Sequence, residues 1–392
     1  MCLWYIKSMT IPLFKVFMAD TAGDAVSKVL DSGYIGQGPK VEAFESQLKS
    51  WFNHDLCLTL NSATSGLHLA LHLLKKEFYS GLRGWEGIQP GDEVLATPLT
   101  CTASNWPILA NNFKIKWVDV DPTTLNMDLD DLARKITPTT KAIMLVHWGG
   151  YPVDLDRVKE IQQKAFDMYG FKPAVIEDCA HSFGSTYKGK RIGTHGNINV
   201  FSFQAIKHLT TGDGGLVVLP HQELYNRAKL IRWYGIDRDT NRKDFRCEAD
   251  ITEWGYKFHM NDIAAAIGLE NFKHVEKEVI EKQQQNAAFY DASFKDFEGV
   301  TLLENKDDRE SAHWLYTIKV QRRENFIAAL KARGVTASRV HERNDKHTCT
   351  RPFLTQLPNL EKVVKEMVCI PVGWWLSDEE RQQVVDAVKE GW

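Results

Sequence analysis

The sequence has no C-x-x-C pair, no basic stripe and no long apolar stretch, and each absence removes a class of protein. Its seven cysteines (Cys2, Cys57, Cys101, Cys179, Cys247, Cys349 and Cys369) are odd in number and scattered, so their spacing writes neither a metal knuckle nor a disulfide framework. Free thiols, mostly in apolar surroundings and in a reducing compartment, are the expectation. The 48 basic and 51 acidic side chains are interspersed and leave a formal charge of −3, which argues against a polyanion binder. No window reaches the ~18 uninterrupted apolar residues of a membrane span. The amino-terminal MCLWYIK is too short for a signal peptide's apolar core and lacks its basic lead-in. A soluble, cytoplasmic protein is expected, with neither nucleic acid nor membrane as partner. Twelve Trp and 43 % hydrophobic residues exclude a largely disordered chain.

What is there is alternation. A chain of 392 residues holds two or three domains at ~150 residues each. From residue 56 to 220, apolar β-rich runs (Leu56–Leu60, Val94–Pro98, Ile115–Val120, Ala142–Val146, Ala174–Ile176, Ile198–Phe203, Leu216–Leu219) alternate with amphipathic stretches. An example of the latter is Leu67, Ala70, Leu71, Leu74 and Phe78, spaced by three and four. Several runs are continuous rather than alternating, as in strands covered on both faces. This order predicts an α/β domain with a mostly parallel sheet. Past residue 260 the texture changes to a long polar helix, roughly Asp262 to Phe294, then short strands (Tyr316–Val320, Val335–Arg339) and a helix over Glu324–Ala332. The expected division is a large domain over residues 1–259 and a smaller α+β domain over 260–392.

Three blocks carry chemistry. PAVIEDCAHSFGS (Pro173–Ser185) sets Glu177 and Asp178 at the end of an apolar strand, with His181 just beyond. Ligands of open parallel sheets bind past the carboxyl ends of strands, although an isolated Asp there serves equally as a helix cap. FSFQAIKHLTTGDGG (Phe201–Gly215) places Ser202 and Lys207 after the next strand and before a glycine-rich turn. A lysine flanked by Ile206 and Leu209, if desolvated, shifts toward its neutral, nucleophilic form; alone, it is also compatible with a surface lysine lying along apolar neighbours. NSATSGLHLAL (Asn61–Leu71) opens a helix with Ser62, Ala63, Thr64 and Ser65, whose hydroxyls and free N–H groups suit a phosphate; capping alone is the plainer role. Together they match what pyridoxal phosphate needs: a lysine for its Schiff base, an acid against its pyridinium nitrogen and a cradle for its phosphate.

At these residues the chain resembles the nucleotide-sugar aminotransferases of the DegT–DnrJ family. The resemblance runs from about Ile11 over nearly the whole chain. It includes SGYIGQGPKVEAFE (Ser32–Glu45), PLTCTASNWPIL (Pro98–Leu109), HWGGYPVDLD (His147–Asp156), IEDCAHSFGSTYKGKRIG (Ile176–Gly193) and WGYKFHMNDIAAAIG (Trp254–Gly268). It implies a fold type I transferase, α/β, with a mostly parallel seven-stranded sheet in the large domain and a smaller C-terminal α+β domain. The implied cofactor is pyridoxal 5'-phosphate. Lys207 is implied as the Schiff-base lysine and proton shuttle, Asp178 as the pyridinium partner and His181 as the neighbour of the ring hydroxyl. Ser62, Ala63 and Thr64 match the phosphate turn, with Ser202 as a further ligand. The block GYKFHM, with Lys257, matches a loop that relatives lend across a homodimer interface to the neighbouring phosphate. Tyr34, Arg238, Arg343 and His347 fall in loops that approach the nucleotide-sugar in relatives, where cations suit a diphosphate.

The sequence departs from the family pattern at three places. Cys101 stands where many relatives stack an aromatic on the cofactor, with Trp106 as a nearby substitute. Lys257 replaces the usual Asn, and His259 the usual Arg. His147, Gly150 and Asp154 match a family motif in a structural role, and Tyr187–Arg191 reads as a solvated turn on Gly189. The implied reaction moves an amine from a donor, by family analogy glutamate, to a keto-sugar on a nucleoside diphosphate, a 4-keto-6-deoxyhexose. The nearest rival is sugar dehydration or deoxygenation by a branch whose lysine is replaced by His. Lys207 is present here, and His208 is one position off. A non-catalytic, regulatory use of the fold is a second rival. A nicotinamide dehydrogenase is disfavoured, since no G-x-G-x-x-G follows a strand.

Overall fold

The computed structural model describes residues 10–75, 87–239 and 250–392, so Cys2, Cys247, Phe78 of the helical pattern and the Met1–Lys7 stretch lie outside it. All seven apolar runs form strands, displaced by one to three residues at their ends. They are β1 (Cys57–Leu60), β2 (Glu93–Ala96), β3 (Lys114–Trp117), β4 (Thr140–Val146) and β5 (Ala174–Asp178). A side hairpin follows, β6 (Thr186–Tyr187) and β7 (Lys190–Arg191), turning at Lys188 and Gly189 as the sequence implied. Then come β8 (Ile198–Ser202) and β9 (Gly215–Val218).

These strands make one sheet in the order β1-β9-β8-β5-β4-β2-β3. Pairings from β3 to β8 are parallel, whereas β9 runs antiparallel to both β8 and β1. Every residue of β1, β8 and β9 is buried, which explains why these runs lack polar alternation. Successive residues feed opposite cores: Val200 and Val217 face the side holding Leu67 and Leu71, while Phe201 and Leu216 face the side holding Phe44 and Val158. With β9 reversed, the carboxyl ends of β1, β2, β4, β5 and β8 share one edge with the start of β9. That edge is where an open α/β sheet presents a ligand crevice.

The smaller body holds β10 (Val300–Leu302), β12 (Tyr316–Val320) and β13 (Met367–Ile370) in an antiparallel sheet, while β11 (Arg309–Glu310) pairs with β6 of the large body. Its core is Tyr290, Phe294, Ile318, Phe326, Leu330 and Val384. The single long helix expected over 262–294 is broken into Asp262–Phe272, a π-helical turn Val275–Ile280 and Glu281–Phe294. Its first part belongs with the large body. The Asp262 carboxylate accepts N–H bonds from Gly38 (2.8 Å), Lys40 (3.1 Å) and Val41 (3.1 Å), and so caps the helix Pro39–Phe52. Its last part gives Ala287, Tyr290 and Phe294 to the small core. We therefore propose the π-helical turn, rather than residue 260, as the boundary between the bodies.

The expected strand Val335–Arg339 is reduced to single bridges, Val335 with Ile11 and Ser338 with Cys369. Ile11 donates its N–H to Gly334 O (2.8 Å) and accepts from Thr336 N–H (3.0 Å). The amino-terminal segment is thereby stitched to the small body, and Leu13 and Phe14 are carried to the sheet edge. Among the described cysteines, all five are unpaired; Cys57, Cys179 and Cys369 are buried as expected, but Cys101 and Cys349 are exposed. No helix among the described residues is long and apolar enough to cross a membrane.

Candidate active site

The sheet edge opens into a cavity of about 470 Å³ whose lining joins residues from well-separated places in the chain. Asp178 ends β5, Ser202 ends β8, Ser62 to Thr64 follow β1, and Lys207 lies in the β8–β9 connection. Trp314 and His341 reach in from the segments before β12 and after the Ser338 bridge.

Asp178 is nearly fully buried yet satisfied. Its Oδ1 accepts the Ala180 N–H at 3.0 Å and its Oδ2 accepts the Ser104 hydroxyl at 2.6 Å, with Thr100 Oγ1 a further 2.7 Å from Ser104 Oγ. Burial nevertheless raises its pKa, because two neutral donors do not replace the water lost around a carboxylate. A cationic partner inside the cavity would restore the charge. Next to it, Glu177 bonds His147 Nε2 (2.8 Å) and Asn197 Nδ2 (2.6 Å), while the Val153 N–H donates to His147 Nδ1 (3.0 Å). This fixes the His147 proton on Nε2 and explains the motif around it as structural. Gly150 completes that scaffold, since a Cβ there would stand 2.7 Å from His181 O.

Lys207 sits in a hairpin loop. The Phe203 N–H donates to Gly214 O (2.9 Å) and the Thr211 N–H to Phe203 O (3.0 Å), closing the loop at the end of the β8–β9 ladder. The buried amine is pushed down to about 7 by desolvation, which the Asp178 charge offsets only in part. At neutral pH much of it is therefore uncharged, as a nucleophile requires. His181, stacked on Trp314 at 3.9 Å, is held neutral by the same burial, and its buried Nδ1 has no hydrogen-bond partner.

The helix Ala63–Leu73 begins at the cavity. Ser62 Oγ accepts the Ser65 N–H at 3.1 Å, leaving the N–H groups of Ala63 and Thr64 at the open end, where the helix dipole favours an anion. Gly215 is needed here for close approach: a Cβ on it would stand 2.5 Å from the Ser62 carbonyl carbon and 2.6 Å from Ala63 N.

The other sequence candidates divide. Cys101 lines the cavity, but Trp106 packs edge-on against half-buried His347. Lys257 is exposed on the outer flank, with its carbonyl accepting from Asn61 Nδ2 (3.1 Å). Tyr34 and Arg238 line a second cavity of about 420 Å³, where the Arg238 guanidinium lies 4.2 Å over Trp233. Arg343 requires correction. Its buried guanidinium is engaged by Asp345 and Glu361, so it braces its own segment instead of waiting for a diphosphate.

The chain matches the DegT/DnrJ/EryC1/StrS aminotransferase family over residues 18–389. It belongs to that family. The crystal structure of AtS13 from Actinomadura melliaura is 49% identical, with a TM-score of 0.92, covering 98% of this chain and 100% of that one. That of the sugar aminotransferase CalS13 from Micromonospora echinospora is 46% identical, with a TM-score of 0.91, covering 97% and 100%. A curated relative from Saccharopolyspora spinosa, a dTDP-4-dehydro-2,3,6-trideoxy-D-glucose 4-aminotransferase, is 29% identical over 373 residues, 93% of this chain and 92% of its own.

The aminotransferase family depends on pyridoxal phosphate, and the residues present fit that cofactor. An under-compensated buried acid, an unpartnered His181 Nδ1, a depressed lysine and an open helix start converge on one cavity of suitable size. Bound there, the cofactor supplies an electron sink for charge developing on a substrate carbon. Sequence reasoning missed Ser104, Phe14, Trp314 and His341. Ser104, three positions past Cys101 on the helix Thr102–Ala110, lay inside a quoted block without any sign of the carboxylate it would meet. Ser104→Ala is expected to weaken the aminotransferase's hold on the cofactor roughly tenfold to hundredfold, the worth of a hydrogen bond to a charged group, about 1.5–3 kcal/mol. Absorbance titration of the cofactor-free protein measures it.

Proposed function

We propose that this aminotransferase moves an amino group from an amino-acid donor, glutamate, onto a keto-sugar carried by a nucleoside diphosphate, a 4-keto-6-deoxyhexose. The observation that supports it most is the convergence of Lys207, Asp178 and the Ser62–Thr64 helix start on one cavity. In this reading the open helix start and Ser202 hold the phosphate and fix the register of everything else. Asp178 keeps a proton on the cofactor's ring nitrogen by pairing with it, an electrostatic role strengthened by burial. Lys207 holds the cofactor covalently and, once displaced, takes a proton at one carbon with Nζ and returns it at another. His181 orients the ring from its hydroxyl side. Leu13, Phe14, Ile206 and Val340 give the cavity an apolar wall suited to a deoxygenated sugar edge.

The dehydratase alternative needs an imidazole in place of the lysine. His208 does not supply one, because its Nε2 is engaged with Ala312 O at 2.9 Å. The reading includes a homodimer, in which exposed Lys257, with Tyr34 and Arg238 at the second cavity, faces the neighbour's site.

Two half-reactions on one cofactor require ping-pong kinetics. A panel of uridine-, thymidine- and guanosine-linked 4-keto-6-deoxy sugars, with ¹⁵N-glutamate as donor, should give parallel double-reciprocal lines and ¹⁵N in one product. Intersecting lines, or a deoxygenated product free of ¹⁵N, would refute it.

A further inference from the structure

Lys207 Nζ lies 3.3 Å from the centroid of the Trp314 ring. The indole is not placed there by chance packing. Its Nε1–H donates to Ile206 O at 2.9 Å, tying the ring to the lysine's own loop. The ring stacks on His181 (3.9 Å, 19°) and on Phe14 of the amino-terminal strap (5.1 Å, 25°), and it is 3% exposed. The residue before it, His313, has a left-handed φ of 50°, and Val340, just before His341, has φ 67°. Positive φ is uncommon outside glycine, and for a β-branched residue it persists only where the surroundings hold it. Trp314 and His341 thus each follow a residue held in an unusual backbone conformation.

We propose that Trp314 is a positioning residue that receives the Lys207 amine on its π face whenever the amine is not covalently engaged. The inference rests on the reading of Lys207 as the reacting amine. In that reading the amine must alternate between a neutral nucleophile and a proton carrier. A carboxylate in direct contact would trap it as ammonium, and a purely apolar wall would refuse the charge. An aromatic face attracts the ammonium moderately and accepts no proton, so the amine can leave again. The titratable groups facing the amine are Asp178 from β5, Cys101 from the turn before helix Thr102–Ala110, His181, His341 and the adjacent His208. All three histidines are held uncharged by burial, His208 and His341 at about 4, so Asp178 is the charged neighbour, acting at longer range.

The test weakens the ring's quadrupole without changing its size. Fluorinated tryptophans are placed at position 314 alone, and the cofactor-free full-length protein is mixed with pyridoxal phosphate at pH 6. Attachment is followed by absorbance and, after borohydride reduction, located by peptide mass. A weaker quadrupole disfavours ammonium and leaves more neutral amine at that pH. Attachment should therefore quicken stepwise with fluorine number, about three- to tenfold for the tetrafluoro ring, the ceiling being the protonated share of an amine at about 7 held at pH 6. Comparing variants at one pH cancels the cofactor's own titration. A rate indifferent to fluorination, with attachment still at Lys207, would overturn the role of Trp314 alone. Attachment elsewhere would overturn the assignment of Lys207 itself.

Discussion

Lys207→Ala is expected to reduce amine transfer by at least ~10³-fold, because one change removes both the covalent tether and the general base. The same variant should lose the visible absorbance of lysine-bound cofactor, while some cofactor stays held through the phosphate turn. The fold should survive, and the pH dependence of stability says why. The folded amine sits at about 7 against an ordinary 10.5, so between those values the unfolded chain binds more protons than the native one. The lysine thus penalises the folded state fully below pH 7, and the penalty fades as pH rises toward 10.5. The cofactor-free variant should melt at the same temperature as wild type or higher at pH 6, with the difference shrinking at pH 9. Retained turnover and absorbance in the variant would remove Lys207 from the mechanism.

Asp178→Asn should leave the architecture in place, since an amide oxygen can still accept the Ala180 N–H and the Ser104 hydroxyl can turn to accept from the new NH₂. What it loses is the charge. Without a carboxylate the ring nitrogen has no partner to keep it protonated in a buried site, and the electron sink weakens. Removal of one preorganised electrostatic contact typically costs ~10²–10³ in rate, and that loss is expected in single-turnover measurements at saturating cofactor. Wild-type single-turnover rates would mean that the carboxylate only anchors the loop at Ala180.

Much of this site could be read from the chain because its parts are local. A strand that ends in Glu177–Asp178, a hydroxyl-rich helix start and a lysine before a glycine turn each declare themselves within a dozen residues. The seven strands likewise announced themselves as short apolar runs, several of them continuous. The unread parts depend on chain segments meeting across the fold. Ser104 gains meaning only when its helix lies beside the end of β5, and Trp314 only when the inter-body segment folds over Lys207. Arg343 misled for the same reason: a cation in a loop looks available until Asp345 and Glu361 are seen on it. The reversal of β9 left no mark on composition, and the π-helical turn at Val275–Ile280 is one change of winding in an otherwise helical pattern. Val335–Arg339 had the composition of a strand but met only one partner residue at each end.

The hairpin that carries Lys207 has a mechanical corollary. Both of its stems are zipped into the central sheet, so the backbone offers the amine no lever arm and no lid to swing. Whatever distance the nitrogen travels between its successive tasks must come from rotation about the four-carbon stem. Such rotations are faster than loop rearrangement, and shortening that stem by even one methylene should strand the nitrogen short of its target.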